Sequence, residues 1–399
     1  MGMLDELKED KVWEDFLRYK TEKNHWSSKE QEVWETFVAE RQYRCITSHL
    51  TEKCCSFDYP MKKYINKSGT AKKGVVYSFP EDQSMVLKVM AHLLYRYDGK
   101  LSPSCYSFRR SISARDAIRE ILQIPHLDTK YCVKVDISNY FNSIPVEQLV
   151  QVLRDIITDD PKLLAFLTGL LEAGKAYDRE ELVEEARGAM AGTPISPFFA
   201  NIYLLSLDNL FTERQIPYFR YSDDILFFTD SCEEAEAALR LLQEHITEKG
   251  LSVNQDKLTI TRPGEVWEFL GFCYRQGEID LSEITKRKMK AKIKRRAHTL
   301  YRWRTKNNNS FERAAKAMIR TFNKKFYDEQ DENRFTWSRW FFPILTTDEG
   351  LKELDSYMVQ YIRYLSSGRH YKGNYRVSYE DVKELGYRSL VNEYYKKST

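Results

Sequence analysis

The sequence lacks the features that mark membrane-spanning or secreted proteins. No apolar run approaches the roughly 20 residues that a membrane span needs. The start, MGMLDELKEDKVWEDFLRYK, is charged and has no signal-peptide core. The seven cysteines show no CxxC or Cys/His spacing, which argues against a disulfide framework or a structural zinc site. We therefore expect reduced thiols and a cytoplasmic protein that does not bind membranes.

The sequence also lacks internal repeats and low-complexity linkers, and its 399 residues with 42% hydrophobic content suffice for two or three domains. Its net charge of +3 is unevenly distributed, because residues 286–306 hold eleven Lys or Arg and no acid. Apolar residues recur there at helical spacing, at Met289, Ile293, Ala297, Leu300 and Trp303. One helix face can therefore pack while the others form either a phosphate-contacting surface or an ordinary solvated face.

The stretch FRYSDDILFFTD, residues 219–230, places two adjacent acids between apolar and aromatic segments. Tyr218–Tyr221 and Ile225–Phe228 are predicted as short strands, and the residues between them suit a tight turn. Asp223 and Asp224 would then lie at a hairpin tip. Two carboxylates this close repel each other, so the turn either remains solvated or binds metal.

A further acid, Asp136, ends the apolar segment YCVKVD. If that strand lies beside the hairpin in one sheet, three carboxylates converge. Two Mg2+ ions held by such acids can activate an attacking hydroxyl and stabilise a leaving phosphate oxygen, which is the chemistry of nucleotidyl transfer. Magnesium keeps water and phosphate oxygens in its shell, so two aspartates and a triphosphate can suffice. Mn2+ is a possible substitute.

Five motifs occur in a fixed order, and together they resemble motifs A to E of reverse transcriptases. They are VKVDISNYFNSI, GTPISPFFANIYL, RYSDDILFF, GLSVNQDKLTI and EFLGF. Upstream, YSFRRSISARDAI is similar to a fingers segment of group II intron-type enzymes. The resemblance implies an α+β right-hand polymerase fold, with fingers, a palm that carries an antiparallel sheet and the YSDD hairpin, and a helical thumb. The superfamily it indicates is that of group II intron and retron-like polymerases.

The resemblance also implies a domain organisation. We expect an N-terminal helical extension over 1–60, fingers over 61–130 and a palm over 131–280 that includes a helical insertion at about 146–190. Residues 281–399 would form a basic, helical thumb or C-terminal RNA-binding region.

Site residues follow from the motif positions. The metal ligands implied by the resemblance are Asp136, Ile137, Asp223 and Asp224, although Asp224 could act through the local field or the hairpin geometry. Lys257 matches the motif D lysine, whose ammonium would stabilise or protonate the pyrophosphate leaving group. An exposed lysine at a strand end is the alternative for Lys257.

A second group of residues would contact the incoming nucleotide. It comprises Lys72, Lys73, Arg109, Phe141, Gly192, Ser196 and Pro197. The Phe141 ring would clash with a 2'-hydroxyl and so favour deoxynucleotides, unless it is only a core residue. Ala191 departs from the family pattern, which usually has Gln there, and this leaves open how the base and sugar are contacted.

Two further groups would bind nucleic acid. The primer grip matches Phe269, Leu270 and Gly271, which could instead pack between palm and thumb. Phosphate contacts are expected from the basic helix, at Lys288, Lys292, Arg295, Arg296 and Arg302.

Among reverse transcriptases, the tail has no acids suited to an RNase H domain, and it lacks the Asn-Ala-x-x-His and Val-Thr-Gly stretches of retron enzymes. The chain instead resembles bacterial antiphage ("unknown group") reverse transcriptases, and its tail resembles the smaller enzyme of a two-polymerase type 3 system. Such a relationship implies dNTPs, a cognate non-coding RNA and a cDNA product as partners, and it leaves open a second reverse transcriptase or a homo-oligomer. Template-independent or protein-primed DNA synthesis and a non-catalytic RNA-binding scaffold are the alternatives.

Overall fold

The structure is a computed structural model that describes residues 2–23, 26–48, 50, 57–66, 73–185, 188–327 and 336–398. The chain divides into two compact units, Met1–Pro263 and Gly264–Thr399. Both units combine helices with strands, so the predicted mixture of helix and sheet is confirmed. None of the described helices has the length and apolar composition that crossing a bilayer requires.

The first unit contains twelve described helices beside its strands. They are α1 (Met3–Glu6), α2 (Asp10–Lys23), α3 (Ser28–Ala39), α4 (Tyr43–Thr47), α5 (Glu81–Leu94), α6 (Ala114–Ile121), α7 (Tyr140–Ser143), α8 (Val146–Ile156), α9 (Pro161–Glu172), α10 (Ser196–Tyr203), α11 (Leu205–Glu213) and α12 (Cys232–Glu248). Its described strands are β1 (Met61–Asn66), β2 (Lys73–Ser78), β3 (Tyr131–Asp136), β4 (Lys175–Asp178), β5 (Glu181–Glu184), β6 (Tyr218–Tyr221), β7 (Asp224–Thr229) and β8 (Thr259–Thr261).

The strands of the first unit form two four-stranded sheets, in the orders β2-β1-β4-β5 and β6-β7-β3-β8. In the second sheet β3 lies between β7 and β8 and is antiparallel to both. Val133, Val135, Ile225 and Phe227 are fully buried on these strands, because apolar residues fill the centre of a sheet that helices cover. Helix α12 contacts β3 and β7.

Residues 173–184 correct the prediction that the insertion at about 146–190 is helical. Helix α9 ends at Glu172, and Gly174 then adopts a left-handed φ of +57°. The chain continues as the β4–β5 hairpin, whose turn places Arg179 at φ +61°. Each of these strands has only four residues and no regular alternation of polar and apolar residues, so the sequence shows no clear strand period here.

The residues that match motifs D and E, 250–260 and 268–272, are only partly in strands. Residues Gln255–Lys257 form a 3-10 turn, and β8 contains only Thr259–Thr261. The motif E match includes parts of two strands, Trp267–Phe269 and Phe272–Arg275, which are joined by a turn at Leu270 and Gly271. Both turn residues have positive φ.

The second unit begins with an antiparallel sheet and continues as helices. The strands are β9 (Trp267–Phe269), β10 (Phe272–Arg275) and β11 (Glu278–Leu281), in the order β11-β10-β9. The helices are α13 (Glu283–Lys306), α14 (Phe311–Tyr327), α15 (Trp337–Phe341), α16 (Glu349–Ser367), α17 (Tyr379–Glu384) and α18 (Leu390–Ser398). The predicted apolar face of the basic helix α13 is buried at Met289, Ile293, Ala297 and Leu300.

Candidate active site

The turn between β6 and β7 presents two acids. Tyr221 pairs with Asp224 across the antiparallel ladder, so Ser222 and Asp223 form a two-residue turn. Ser222 has a φ of +63°, which the first residue of such a tight hairpin turn commonly requires. Its side chain is buried, and Asp223 and Asp224 are half-buried.

The end of β3 brings a third acid to the same place. Asp136 is the register partner of Asp224, and the Ile137 amide donates a hydrogen bond of 3.1 Å to the Asp223 carbonyl oxygen. Asp136 is only 5% exposed, so its carboxylate lies where the sheet excludes most water. The sheet therefore gathers the three aspartates that the sequence predicts to converge.

Burial dominates the electrostatics of the hairpin acids. It raises the pKa of Asp223, and the nearby Asp136 charge adds to the increase. Burial likewise raises the pKa of Asp224, which the charge of Lys134 partly opposes. Both acids are therefore held in an environment that disfavours their charged forms and would be relieved by an added cation.

Two polar side chains already contact Asp136. The Lys257 ammonium donates to its Oδ2 at 2.6 Å, and the Asn254 amide donates to its Oδ1 at 3.2 Å. Burial lowers the pKa of Lys257, but the hydrogen bond and charge of Asp136 outweigh this effect and the pKa lies above its ordinary value. The motif D lysine is thus charged and bound to an acid of the site, although its side chain is 59% exposed.

The carboxylate oxygens of the three aspartates suit hard divalent cations, but they do not by themselves complete a metal coordination shell. Within the described parts of the chain, no three His, Cys, Asp or Glu side chains make a ready metal-binding cluster. Magnesium is commonly held by one or two carboxylates together with substrate phosphates, and the acids here supply oxygen ligands of that kind. Burial, with a smaller contribution from the neighbouring acids, raises the pKa values of Asp223 and Asp224, so a bound cation would favour their charged forms.

Three aromatic rings lie in a row that reaches the hairpin. Phe141 lies five residues after Asp136 and is half-buried, and its ring centroid is 6.4 Å from that of Phe108. Phe108 in turn lies 6.1 Å from the ring of Tyr221. Phe141 therefore belongs to an aromatic row that continues to the strand carrying the two acids.

The motif B turn is held against β2. The Tyr77 amide donates to the Ala191 carbonyl oxygen at 2.7 Å, and Gly192 has a φ of +93°. A Cβ on Gly192 would lie 2.9 Å from the Val76 Cβ, so close strand contact by itself requires glycine here. Ser196 donates to the Thr193 carbonyl, and Pro197 occupies the first turn of α10, where a missing N–H has no cost.

The structure describes two of the three residues that are predicted to contact the triphosphate. Lys73 is exposed at the start of β2, and Lys72 lies outside the described residues. The Arg109 guanidinium donates to the carbonyl oxygens of Asp98, Ser102 and Cys105 at 2.8–3.3 Å. Through these hydrogen bonds Arg109 stabilises the loop, a role that the sequence did not indicate.

The remaining predicted residues belong to the second unit. Phe269 ends β9, and Gly271 follows in the turn with a φ of +93°, where a Cβ would lie 3.1 Å from Thr285 Oγ1. On α13, exposed positions are occupied by Lys288, Lys292, Arg295 and Arg302, while Arg296 is half-buried. Other α13 cations bind within the unit, since Lys286 and Lys290 both pair with Glu353.

Sequence reasoning missed a buried ion pair beneath the hairpin. Arg220 and Asp208 are both fully buried, and their side chains form two hydrogen bonds. The available signal was an arginine inside an otherwise aromatic strand, because a buried charge requires a partner. The sequence does not indicate which acid that partner is.

The sheet brings Asp136, Asp223 and Asp224 near one another, and Lys257 binds the first of them. Residues 65–274 match the family of reverse transcriptases (RNA-dependent DNA polymerases), and the chain belongs to that family.

Curated relatives match at low identity over parts of the chain. The Retron Ec83 reverse transcriptase of Escherichia coli is 32% identical over 112 residues, which are 26% of this chain and 34% of that protein. An uncharacterized 91 kDa protein in the cob intron of Schizosaccharomyces pombe is 26% identical over 40% of this chain and 20% of its own length. The chain thus spans about a third or less of these relatives.

Solved structures of telomerases are similar over larger shares of the chain. Apo telomerase from Candida tropicalis, truncated from the C-terminal domain, has a TM-score of 0.44 and 13% identity, covering 57% of this chain and 55% of that one. Telomerase from Candida albicans, in complex with a fragment of telomeric RNA, has the same TM-score and identity over 92% of this chain and 70% of that one.

Proposed function

We propose that the protein is an RNA-directed DNA polymerase that adds deoxynucleotides to a primer by nucleotidyl transfer. The observation that carries the proposal is the register of Asp136 with Asp224, which brings the acid of β3 beside the two acids of the hairpin turn. Membership of the reverse transcriptase family supports the same activity.

In this proposal Asp136, the Ile137 carbonyl and Asp223 would hold two divalent cations, with Mg2+ preferred and Mn2+ a possible substitute. Bound cations would lower the pKa of the primer 3'-hydroxyl and stabilise charge on the leaving pyrophosphate. Asp224 shapes the field at the site and pairs with Asp136 in the ladder.

Lys257 has a second role in the proposal. Its ammonium releases Asp136 when the site is occupied and turns toward the pyrophosphate, to which it donates a proton. The exposure of its side chain and its raised pKa support this role, because the group is charged and has room to move.

Residues next to the acids select and hold the nucleotide. We assign sugar discrimination to Phe141, and we assign the surface under the nascent base pair to Gly192, Ser196 and Pro197. Lys72, Lys73 and Arg109 would neutralise the triphosphate. For Arg109 this role requires it to give up at least some of its present backbone contacts.

The second unit would hold primer and template. Phe269, Leu270 and Gly271 would align the primer terminus, and the exposed cations of α13 would contact phosphates. Crowding of positive charge supports the latter role, since burial and the neighbouring Lys325, Lys288 and Arg295 lower the pKa of Lys292. We also propose the right-hand division into fingers, palm and thumb at the boundaries given above.

We further propose a role in bacterial antiphage defence with a cognate non-coding RNA as template. This finer assignment rests on the resemblance of the Ala191–Gly192 version of motif B and of the helical tail. A second reverse transcriptase or a second copy of this chain remains part of the proposal as a partner.

The experiment that tests the activity is to purify the protein from its host, sequence the nucleic acid that remains bound, and add labelled dNTPs with Mg2+. We expect one structured RNA, extended into cDNA by the parent protein and not by Asp223→Asn. We expect the variant to melt at or above the parent's temperature, because partial burial disfavours the charged form of Asp223. A loss of activity in a variant that melts in this way would not reflect a loss of folding.

Other outcomes of this experiment would support one of the alternative functions. Products that form without RNA would replace RNA-directed synthesis by template-independent addition, and protease-sensitive attachment of those products would indicate protein priming. Bound RNA without incorporation would favour a non-catalytic scaffold.

A further inference from the structure

The arginine of the FRYSDD stretch is directed away from the solvent. Arg220 Nε lies 2.6 Å from Asp208 Oδ1, and Arg220 Nη2 lies 2.5 Å from Asp208 Oδ2. Both residues are fully buried, and the Tyr218 hydroxyl donates a third hydrogen bond to Asp208 at 3.1 Å. A bidentate pair of this kind fixes the guanidinium plane as well as its position.

The remaining guanidinium donors reach two other elements. Nη2 also donates to the Asn201 carbonyl oxygen of α10 at 3.0 Å, and Nη1 lies 3.4 Å from the Ser222 carbonyl oxygen in the acidic turn. The backbone of Arg220 contributes too, because its amide donates to the Ser104 carbonyl and its carbonyl accepts from the Tyr106 amide. One side chain thus links α10, α11 and the turn.

The Ser222 contact coincides with the strained residue of the turn. A non-glycine residue with a φ of +63° has an unfavourable backbone conformation and persists only where the surroundings hold it. The carbonyl of Ser222 immediately precedes the amide of Asp223, so any rotation of that peptide would move the Asp223 carboxylate. The pair therefore lies where it can control the geometry of the site.

Stability alone does not account for a buried pair at this place. Replacing a buried ion pair by apolar residues of similar volume is often neutral or stabilising, whereas removing one partner leaves an uncompensated charge. Folding stability would therefore permit apolar residues at positions 208 and 220. Apolar residues, however, could not donate a hydrogen bond to the Ser222 carbonyl.

We propose that Arg220, oriented by Asp208, is a positioning residue that holds the Ser222 carbonyl and thereby keeps Asp223 and Asp224 aligned with Asp136. The inference rests on the proposed polymerase function, because its test by kcat requires polymerase activity. It goes beyond that function by assigning a role to two residues that touch neither substrate nor the acids' carboxylates.

The decisive variant is the double substitution Arg220→Met with Asp208→Leu, which removes the anchor without leaving a buried charge. We expect its melting temperature to remain within a few degrees of the parent. We expect kcat for single-nucleotide incorporation to fall at least about tenfold, with a change of less than about threefold in the dNTP KM. The Mg2+ concentration for half-maximal rate should rise, because the acids no longer hold their spacing.

Two single substitutions complete the set. Arg220→Lys retains the charge opposite Asp208, but a lysine cannot donate to Asp208, Asn201 and Ser222 at once. Its kcat should therefore also fall while its dNTP KM changes little. Ser107→Ala is the matched control, since it breaks a buried 2.8 Å hydrogen bond to Asn201 and leaves the Ser222 contact intact. It should lower the melting temperature without changing the Mg2+ dependence.

Binding of Mn2+ alone, measured by electron paramagnetic resonance, separates this inference from the proposed function. Weaker Mn2+ binding by the folded double variant and by Arg220→Lys supports positioning even if the parent incorporates no dNTP. Parent-like kcat, Mg2+ dependence and Mn2+ binding in a folded variant would overturn it. If the double variant does not fold, kcat, Mg2+ dependence and Mn2+ binding of Arg220→Lys decide between the two outcomes. The inference would also be overturned if Mn2+ binding by the parent protein did not depend on Asp223.

Discussion

The Lys257 ammonium lies 2.6 Å from Asp136 Oδ2, which joins the motif D lysine to the acid at the end of β3. In this position the lysine compensates part of the negative charge of the acidic site. A divalent cation on Asp136 would have to displace it. In the proposed function, the same lysine is the counter-ion before the substrate binds and the proton donor afterwards.

The first prediction concerns this lysine. Lys257→Ala should reduce kcat for single-nucleotide incorporation by about 10²-fold, the lower end of the usual contribution of general acid catalysis. Titration calorimetry of the free protein should show tighter Mn2+ binding, because the competing ammonium is gone.

A lysine-to-alanine change at exposed Lys11 on α2 serves as the control and should alter neither quantity. Unchanged kcat in Lys257→Ala would leave the lysine only as a surface counter-ion.

The second prediction concerns sugar selection by Phe141. Phe141→Ala removes the ring that would clash with a 2'-hydroxyl, so the ratio of dNTP to rNTP incorporation efficiency should fall at least about tenfold, or about 1.4 kcal/mol. Parallel kcat/KM measurements with dGTP and GTP on one template would give the ratio.

Phe108→Ala is the appropriate comparison, because Phe108 belongs to the same aromatic row without being the residue assigned to the sugar. A selectivity that remains at the parent level in Phe141→Ala would make Phe141 a packing residue only.

The third prediction concerns the glycine of motif B. Gly192→Ala places a Cβ 2.9 Å from the Val76 Cβ and requires a residue with a side chain at φ +93°. The free energy of unfolding should decrease by about 1–3 kcal/mol, as measured by chemical denaturation.

Gly99→Ala supplies the matched control, because no atom lies within 4 Å of the Cβ it would add. Equal effects of the two substitutions would show that β2 moves aside without cost.

The fourth prediction compares two lysines on α13. Lys292 is exposed, whereas Lys290 pairs with Glu353. Lys292→Gln should reduce the slope of log K against log salt for RNA binding by about 1, because one phosphate contact is lost. Lys290→Gln should leave the slope near that of the parent, and fluorescence anisotropy over a salt series would measure both. A reduced slope in both variants would mean that the ion pair with Glu353 opens on binding.

The fifth prediction concerns acid stability. Burial, together with the nearby charges of Arg110 and Lys20, lowers the pKa of His92 to about 4. The unfolded state therefore binds a proton at higher pH than the folded state, so stability is retained above about pH 6.5 and lost as the pH falls toward 4. After allowance for the partial exposure of His92, the loss should be about 1–2 kcal/mol.

His92→Gln should flatten the stability profile between pH 6.5 and 4 in denaturation experiments. The ring of Tyr19 lies 4.5 Å from His92, so the variant also changes packing and must be compared with the parent at pH 7.5 as a baseline. A profile as steep as that of the parent would assign the acid sensitivity to other groups.

Local patterns in the sequence predicted the elements on which the site is built. A strand ending in an acid and a tight turn between apolar strands are recognisable within a few residues, and Asp136, Asp223 and Asp224 were found in this way. The buried face of α13 was likewise predicted from its helical spacing, and Met289 and Ile293 confirm it. These properties depend on neighbours along the chain.

The sequence by itself therefore determined the residues of the acidic site and the helical periods, because both are written in short-range spacing. The tertiary structure decided which partners the charged groups take. Lys257 binds an acid 121 residues away, and Arg109 binds backbone carbonyls. Arg220 finds Asp208 inside the unit and so reaches the turn. The partner of a buried charge is set by the packing of distant segments, which no local pattern records.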